Sequence, residues 1–179
     1  AYWRAHYGEP PTDDRIEPHV VVLHWTGGST AESAWQTFAP STLAGRAELQ
    51  DAGALNVSAH FLVDRDGTTW QLVPTDRMAR HVIGLNHTAI GIENVGDGER
   101  WPLTPAQVDA NAALVRWLAQ EHDITHLIGH HQYQRFADHP YWQERDAAYR
   151  TVKVDPGDGF VEAVRARVED LHLAEAPSD

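Results

Sequence analysis

Three short, continuously apolar runs constrain the fold of this chain most strongly. They are residues 20–24 (VVVLH), 89–95 (AIGIENV) and 127–130 (LIGH). Runs of this length and composition are typical of strands that are covered on both faces. A fourth segment, 57–63, alternates in polarity and leads into Asp-Arg-Asp-Gly, a hairpin signal, with residues 68–73 as the returning strand. The pattern predicts a central sheet enclosed between two layers.

Helical signals separate these strands. A helix is predicted from the Gly-rich break after Trp25 to Phe38, and a second over residues 43–52. Thr104-Pro105-Ala106-Gln107 is a capping box with proline at the first helical position, and it starts a third helix. A fourth helix begins at Asp158. Strands that alternate with helices, plus one hairpin, predict an α/β fold with a mixed sheet flanked by helices on both faces.

The length of 179 residues suits one domain. We expect a polar, proline-rich arm over residues 1–18, the main folded domain over 19–172 and a frayed tail over 173–179. No apolar run is long enough for a membrane helix. The chain begins with alanine rather than methionine, which hints that a leader has been removed.

Charge and cysteine content exclude several classes of function. The 14 Lys and Arg against 26 Asp and Glu give a net charge of -12, which disfavours binding to nucleic acids. The chain has no cysteine, so disulfides, thiolate catalysis and Cys-ligated zinc are excluded. Any metal must be held by imidazole and carboxylate groups, and the 12 histidines make such a site feasible.

Three ionisable residues lie where apolar residues are expected. His24 and His130 each end an apolar run, at the strand ends where open α/β sheets bind ligands. Either histidine alone would favour a hydrogen-bonded core position. If the two strands are neighbours, however, both imidazoles can reach one metal ion, and this matched placement favours a functional role. Glu93 interrupts an apolar strand, so it is either paired structurally or kept partly desolvated for proton transfer.

The segment Lys153-Val154-Asp155-Pro156-Gly157 precedes the last helix. Asp-Pro-Gly is a turn signature, so the segment is compatible with a simple loop. Lys153 and Asp155 are two residues apart in an extended segment and should point the same way. One of them can then coordinate a metal while the other places a positive charge beside it.

The motifs VVLHWT, SAHFLVDRDGT, IGIE, LIGHH and KVDPG occur in this order from about Val20 to Val168. Together they resemble the zinc N-acetylmuramoyl-L-alanine amidases related to peptidoglycan recognition proteins and amidase-type phage lysozymes. The resemblance implies that His24, His130 and Asp155 bind zinc and that Glu93 is the catalytic carboxylate. It also implies that Lys153 lies beside the metal. The implied reaction is hydrolysis of the amide bond between N-acetylmuramic acid and L-alanine of the peptidoglycan stem peptide.

Two departures from the family pattern matter. Some relatives have a tyrosine immediately before the histidine of the hairpin strand, but this chain has Ala59, which favours Glu93 as the base. An insertion over residues 131–152 separates His130 from Asp155 and brings other candidate ligands, which are His131, Asp138 and His139. We prefer Asp155 because KVDPG restores the family pattern just before the last helix.

The resemblance also suggests substrate contacts. His81, Asn86 and Thr88 resemble a substrate-facing loop, and His60 either contacts substrate or is a half-buried strand histidine. The inserted aromatic residues either wall the cleft or pack the insertion against the domain; they are Tyr133, Phe136, Tyr141 and Trp142.

Two alternatives to an amidase are a non-catalytic muropeptide-binding module and a zinc peptidase acting on stem peptides. The chain lacks the His-Glu-x-x-His motif usual for a zinc peptidase. We expect a monomer in the periplasm or outside the cell, and a cytoplasmic role in recycling muropeptides is also compatible with the sequence.

Overall fold

The computed structural model describes residues 1–9, 13, 15–43 and 53–178. Within them no helix is both long and apolar enough to cross a bilayer. The predicted helix over 43–52 lies almost entirely outside the described residues. The elements are α1 (Tyr2–His6), β1 (Val20–Trp25), α2 (Ala31–Phe38), β2 (Phe61–Val63), β3 (Thr69–Gln71), β4 (Ala89–Asn94), α3 (Pro105–Glu121), β5 (His126–Gly129), a 3-10 helix (His130–Phe136), α4 (Asp158–Arg167) and a second 3-10 helix (Glu169–Leu171).

The described strands form one mixed sheet in the order β3-β2-β4-β1-β5. Strand β1 lies between β4 and β5 and pairs in parallel with both. Strands β2 and β3 form the predicted antiparallel hairpin, and Asp64 donates its N–H to the Thr68 carbonyl across the turn. The predicted α/β fold with a mixed sheet is therefore confirmed.

Helices α3 and α4 cover one face of the sheet. Their buried residues Val115, Leu118 and Val164 pack with Leu23 and Ile92 of the central strands. The capping box that starts α3 is formed as predicted. The Thr104 hydroxyl accepts the Gln107 N–H, and the Gln107 side chain accepts the Thr104 N–H.

Residues from several elements cover the other face of the sheet. Tyr133 and Phe136 of the first 3-10 helix are fully buried against it, together with Leu85 from the loop before β4. Helix α2 packs on this same face near the hairpin, where Ala34 contacts Leu62. Helical elements therefore flank both faces. The insertion after His130 contributes core residues as well as surface.

Each strand differs by one or more residues from its predicted bounds, and β2 and β5 show why. Strand β2 begins at Phe61 rather than Val57, because the Ser58 N–H and hydroxyl are used in hydrogen bonds to the Arg80 backbone. Strand β5 ends at Gly129, and the next residue, His130, starts the 3-10 helix. This turn at the strand end directs the His130 ring back over the sheet.

Both ends of the chain contact the sheet layer. In the predicted arm, the helix α1 residues Tyr2 and His6 are buried. In the predicted tail, Ala174 accepts the Leu127 N–H and donates its own N–H to the Thr125 carbonyl. Chain packing therefore continues beyond residue 172, while the division of the chain into arm, domain and tail stays a prediction.

Candidate active site

Parallel strand pairing brings His24 and His130 together. Val22 of β1 lies opposite Ile128 of β5, so the residues two positions further along each chain project from the same face. The His24 and His130 Nδ1 atoms are 3.0 Å apart. Both side chains are almost fully buried, with 2% and 7% exposure. The predicted meeting of the two imidazoles is therefore observed in the structure.

Asp155 completes the group from the segment before α4. Its Oδ2 atom lies 3.0 Å from His130 Nδ1 and 3.4 Å from His24 Nδ1. The segment is held by His131, whose backbone N–H donates to the Asp155 carbonyl and whose Nδ1 lies 3.0 Å from the same oxygen. The His131 Nε2 atom lies 2.8 Å from Asp158 at the start of α4.

These three residues fit a zinc ion by donor type and by spacing. Zinc binds imidazole nitrogen and carboxylate oxygen at about 2.0–2.2 Å, so two ligand atoms in a tetrahedral site lie about 3.3–3.5 Å apart. The observed separations of 3.0, 3.0 and 3.4 Å are close to this value. Within the described parts of the chain, this is the one group of three acidic, histidine or cysteine residues that can hold a metal ion.

The electrostatics of the group also favour a metal. Burial, reinforced by the neighbouring His24, lowers the pKa of His130 to about 4, so its imidazole is neutral at neutral pH. Burial alone would raise the pKa of Asp155, but the adjacent imidazoles of His130 and His24 hold that pKa well below its usual range. Neutral imidazole and ionised carboxylate are the protonation states that bind metals.

The other candidate ligands in the insertion lie elsewhere. His131 contacts the Asp155 backbone and Asp158, as described above. Asp138 is exposed. The His139 ring packs against Phe136 and Tyr141, with centroid distances of 5.0 and 4.7 Å. None of the three belongs to the group that can hold a metal ion.

Glu93 and Lys153 lie beside the three clustered residues. Glu93 pairs with His24 in the parallel register of β4 and β1, so both side chains project from one face. Residues 151–155 alternate as predicted: Val152 and Val154 are 88% and 68% exposed, while Lys153 and Asp155 face inward. Lys153 and Glu93 line the same cavity as His24, His130 and Asp155.

This cavity is a cleft of about 180 Å³. Its lining includes residues of helix α2 and of the segment ending at Asp155. Four aromatic residues also line it. They are Tyr2, Trp25, Phe38 and Tyr149.

Sequence reasoning did not assign these four aromatic residues to the site. Tyr2 and Tyr149 come from the predicted arm and the insertion, whose packing depends on distant parts of the chain. Arg80 joins them, since its guanidinium lies 4.7 Å from the Tyr2 ring centroid and donates to the Tyr149 hydroxyl. Thr151 also lines the cleft. Its position could have been predicted, because it lies two residues before Lys153 in the same alternating segment.

Two of the predicted substrate residues line the cleft. His81 lies with its Nδ1 atom 3.0 Å from His24 Nε2. Burial, followed by the nearby His24 and His60, lowers the pKa of His81 well below its usual value. Asn86 is 1% exposed, and its side-chain oxygen accepts the N–H groups of His81 and Val82.

The other two predicted substrate residues lie away from the cleft lining. His60 is completely buried: its Nδ1 accepts the Gly91 N–H, and its Nε2 donates to the Arg77 carbonyl. This is a hydrogen-bonded position within the core, more deeply buried than the half-buried alternative considered from the sequence. The Thr88 side chain is buried and donates to the Glu17 carbonyl, which ties the arm to the start of β4.

The inserted aromatic residues mainly pack the insertion onto the domain. The Tyr133 and Trp142 rings stack with centroids 6.2 Å apart. The Arg150 guanidinium lies 4.5 Å from the Trp142 ring centroid. Gly84 makes room for Trp142, because a Cβ atom there would lie 2.6 Å from the indole ring.

With this geometry in place, comparison with known proteins gives the family. Residues 14–158 match the family model Amidase_2, described as N-acetylmuramoyl-L-alanine amidase. The chain therefore belongs to this family.

Individual relatives are more distant. Over 87 residues the chain is 34% identical to the endolysin of Klebsiella phage KP32, an alignment covering 46% of this chain and 58% of that endolysin. The fold is similar to a solved AmpD structure with TM-score 0.59 and 26% identity, covering 90% of this chain and 89% of that one. It is also similar to AmiD from E. coli, with TM-score 0.52 and 22% identity over 71% of this chain and 53% of AmiD.

Buried His60 predicts how stability depends on pH. Burial lowers its pKa to about 4 from 6.5, so the folded protein binds no proton there until the pH approaches 4, whereas the unfolded chain binds one near 6.5. The free energy of unfolding should therefore fall as pH decreases from 6.5 to 4, with a contribution from His60 on the order of 3 kcal/mol.

Urea unfolding at several pH values, in the presence of chelator, tests this dependence. His60→Gln removes the titrating group, and its amide can still donate to the Arg77 carbonyl. We expect the variant to be less stable than the wild type near neutral pH but to lose less stability between pH 6.5 and 4. Parallel losses in both proteins would contradict the assignment.

Proposed function

We propose that this protein is a zinc-dependent amidase that cleaves the bond between the lactyl carbonyl of N-acetylmuramic acid and L-alanine of the stem peptide. The observation that carries the proposal is the cluster of His24 Nδ1, His130 Nδ1 and Asp155 Oδ2. This cluster lies in a cleft that is also lined by Glu93 and Lys153. Membership of the amidase family supports the proposed identity of the cleaved bond.

The three clustered residues would hold the metal. Zinc in such a site supplies a Lewis acid that polarises a carbonyl and lowers the pKa of water to about 7. His24 and His130 present nitrogen donors from adjacent strands, and Asp155 adds one negative charge. Three protein ligands, rather than four, are typical of catalytic zinc sites, which keep one position open.

Glu93 is the proposed general base and acid. Its position opposite His24 in the sheet places the carboxylate on the cleft side, where it is 9% exposed. From there it can accept a proton from the attacking water and pass it to the leaving amine of L-alanine. Positioned proton transfer of this kind typically raises the reaction rate by about 100- to 10,000-fold.

Lys153 is the proposed stabiliser of the oxyanion. As water attacks the lactyl carbonyl, negative charge develops on the carbonyl oxygen. The Lys153 ammonium group lines the cleft two residues before Asp155, so its positive charge is close to the reacting centre. A fixed cation in a partly desolvated cleft stabilises that charge more strongly than it would in water.

Substrate contacts are proposed for the aromatic lining rather than for all four residues predicted from the sequence. Tyr2, Trp25, Phe38 and Tyr149 offer flat apolar surfaces for a sugar ring or for the stem peptide. Asn86 uses its side-chain oxygen to hold the 81–82 backbone and its NH2 group to bind the Tyr2 and Tyr7 hydroxyls. It therefore shapes the cleft, while His60 and Thr88 support it from outside.

The proposed substrate is peptidoglycan or its soluble fragments. AmiD, which shares this fold, was solved with anhydro-N-acetylmuramic acid-L-Ala-D-γ-Glu-L-Lys, and the endolysin similarity supports a substrate in the cell wall. We propose action in the periplasm or outside the cell. The net charge of -12 means that binding depends on contacts inside the cleft rather than on long-range attraction to an anionic wall.

Mass spectrometry of purified muropeptides tests the reaction. The zinc-loaded wild type should release free stem peptide from N-acetylmuramic acid, and a chelator should stop release. Glu93→Gln should bind zinc as the wild type does but release stem peptide at least 100-fold more slowly, because the amide cannot accept the proton.

Other products would contradict the proposal. Cleavage within the stem peptide would indicate a peptidase. Binding of muropeptides by the zinc-loaded wild type without any cleavage would indicate a recognition module.

The charge of Lys153 can be tested separately. Lys153→Met keeps the length of the side chain and removes its charge, so kcat should fall on the order of 100-fold with little change in KM. Lys153→Arg keeps a positive charge and should recover part of the loss. Equal kcat values for the Met and Arg variants would show that charge at this position does not stabilise the transition state.

A further inference from the structure

His81 contacts His24, a proposed metal ligand, on the side of its ring away from the other two ligands. Its Nδ1 atom lies 3.0 Å from Nε2 of His24, the nitrogen that faces away from His130 and Asp155. We propose that His81 is a positioning residue that orients His24 so that the Nδ1 lone pair of His24 faces the metal. This inference rests on the proposed zinc site but concerns metal affinity rather than the bond cleaved.

Hydrogen-bond polarity explains how His81 acts. The Ala89 carbonyl can only accept, and it lies 3.3 Å from His81 Nε2, so this nitrogen carries the hydrogen. In a neutral imidazole the other nitrogen, Nδ1, is then an acceptor. It accepts a hydrogen from His24 Nε2, which leaves the lone pair of a neutral His24 on Nδ1. The chain of contacts from Ala89 to His24 thus selects the tautomer of His24 that can bind a metal.

Gly91 leaves the space that the His81 ring occupies. A Cβ atom on Gly91 would lie 2.6 Å from His81 Cγ and 2.7 Å from its Nδ1, so the ring occupies space that only glycine leaves open. The ring is also nearly perpendicular to two neighbouring imidazoles. It makes angles of 85° with His24 and 83° with His60, at centroid distances of 5.1 and 5.7 Å. These contacts hold the His81 ring in one orientation.

A substrate contact is the competing role for His81, since the residue lines the cleft. In the structure both of its ring nitrogens have partners within the protein, which favours the positioning role. The two roles differ in what they change. A residue that only contacts substrate alters KM and leaves zinc affinity unchanged, whereas a residue that orients His24 alters zinc affinity in the absence of substrate.

Zinc affinity is therefore measured without substrate, by competition between the metal-free protein and a chromophoric chelator. His81→Asn places an oxygen acceptor near the position of Nδ1 and should keep zinc affinity within a few-fold of wild type. His81→Gln places its amide near Nε2, and His81→Ala has neither group. Both should weaken zinc binding on the order of 10- to 100-fold. His87→Asn, in the same loop, is the matched control and should bind zinc as the wild type does.

Several outcomes would overturn the proposal. Equal zinc affinities for the Asn, Gln and Ala variants would do so, as would a change confined to KM at saturating zinc. A wild type that binds no zinc would remove both this inference and the proposed function. A wild type that binds zinc but does not cleave muropeptides would remove the proposed amidase activity alone.

Gly91→Ala is a second route to the same contact that leaves His81 in place. The added methyl group should displace the ring and weaken zinc binding, while the double variant Gly91→Ala/His81→Ala should bind zinc no more weakly than His81→Ala alone. This non-additivity is expected because both changes act on one contact. Additive losses would show that Gly91 acts independently of His81. Circular dichroism of each variant checks that the fold is retained.

Discussion

The parallel pairing of β1 with β4 and β5 is the constraint on which the rest of the site depends. Because the three strands run in the same direction, their carboxyl ends lie at one edge of the sheet. Their side-chain alternation then places His24, Glu93 and His130 on one face of that edge. A register change of one residue in any strand would turn its functional side chain to the opposite face, into the core formed by α3 and α4.

Burial gives these groups their chemical character. His130 lies at the end of an apolar face, where a charged imidazole is costly and a neutral imidazole can offer a lone pair. Asp155 keeps its charge there because the imidazoles of His130 and His24 lie 3.0 and 3.4 Å from its Oδ2 atom. The same surroundings that would destabilise three unrelated polar groups favour them as one metal-binding set.

Much of this arrangement could be predicted from sequence because it follows from local patterns. The apolar runs ending at His24 and His130 predicted two buried strands with a histidine at the end of each, and Thr104 with Gln107 predicted the start of α3. Resemblance to a known family was needed to select Asp155 over His131 and His139. The structure supplies a physical reason for that choice, since His131 holds the Asp155 backbone instead of pointing to the metal site.

What could not be predicted depends on packing between distant segments. His60 and His81 look alike in the sequence, but His60 is enclosed between Gly91 and Arg77, while His81 reaches His24 across the space left by Gly91. Tyr2 and Tyr149 meet at the cleft only because the arm and the insertion pack together, with His6 and Glu144 2.9 Å apart. Such pairs carry no local pattern that a single sequence reveals.

The position of zinc itself tests the account most directly. Crystals grown with zinc, with diffraction data collected on both sides of the zinc absorption edge, would locate the ion by its anomalous signal. The account predicts one strong peak about 2.0–2.2 Å from His24 Nδ1, His130 Nδ1 and Asp155 Oδ2. A strong peak bound by other residues, or no peak at these three atoms in crystals of protein that binds zinc in solution, would contradict it.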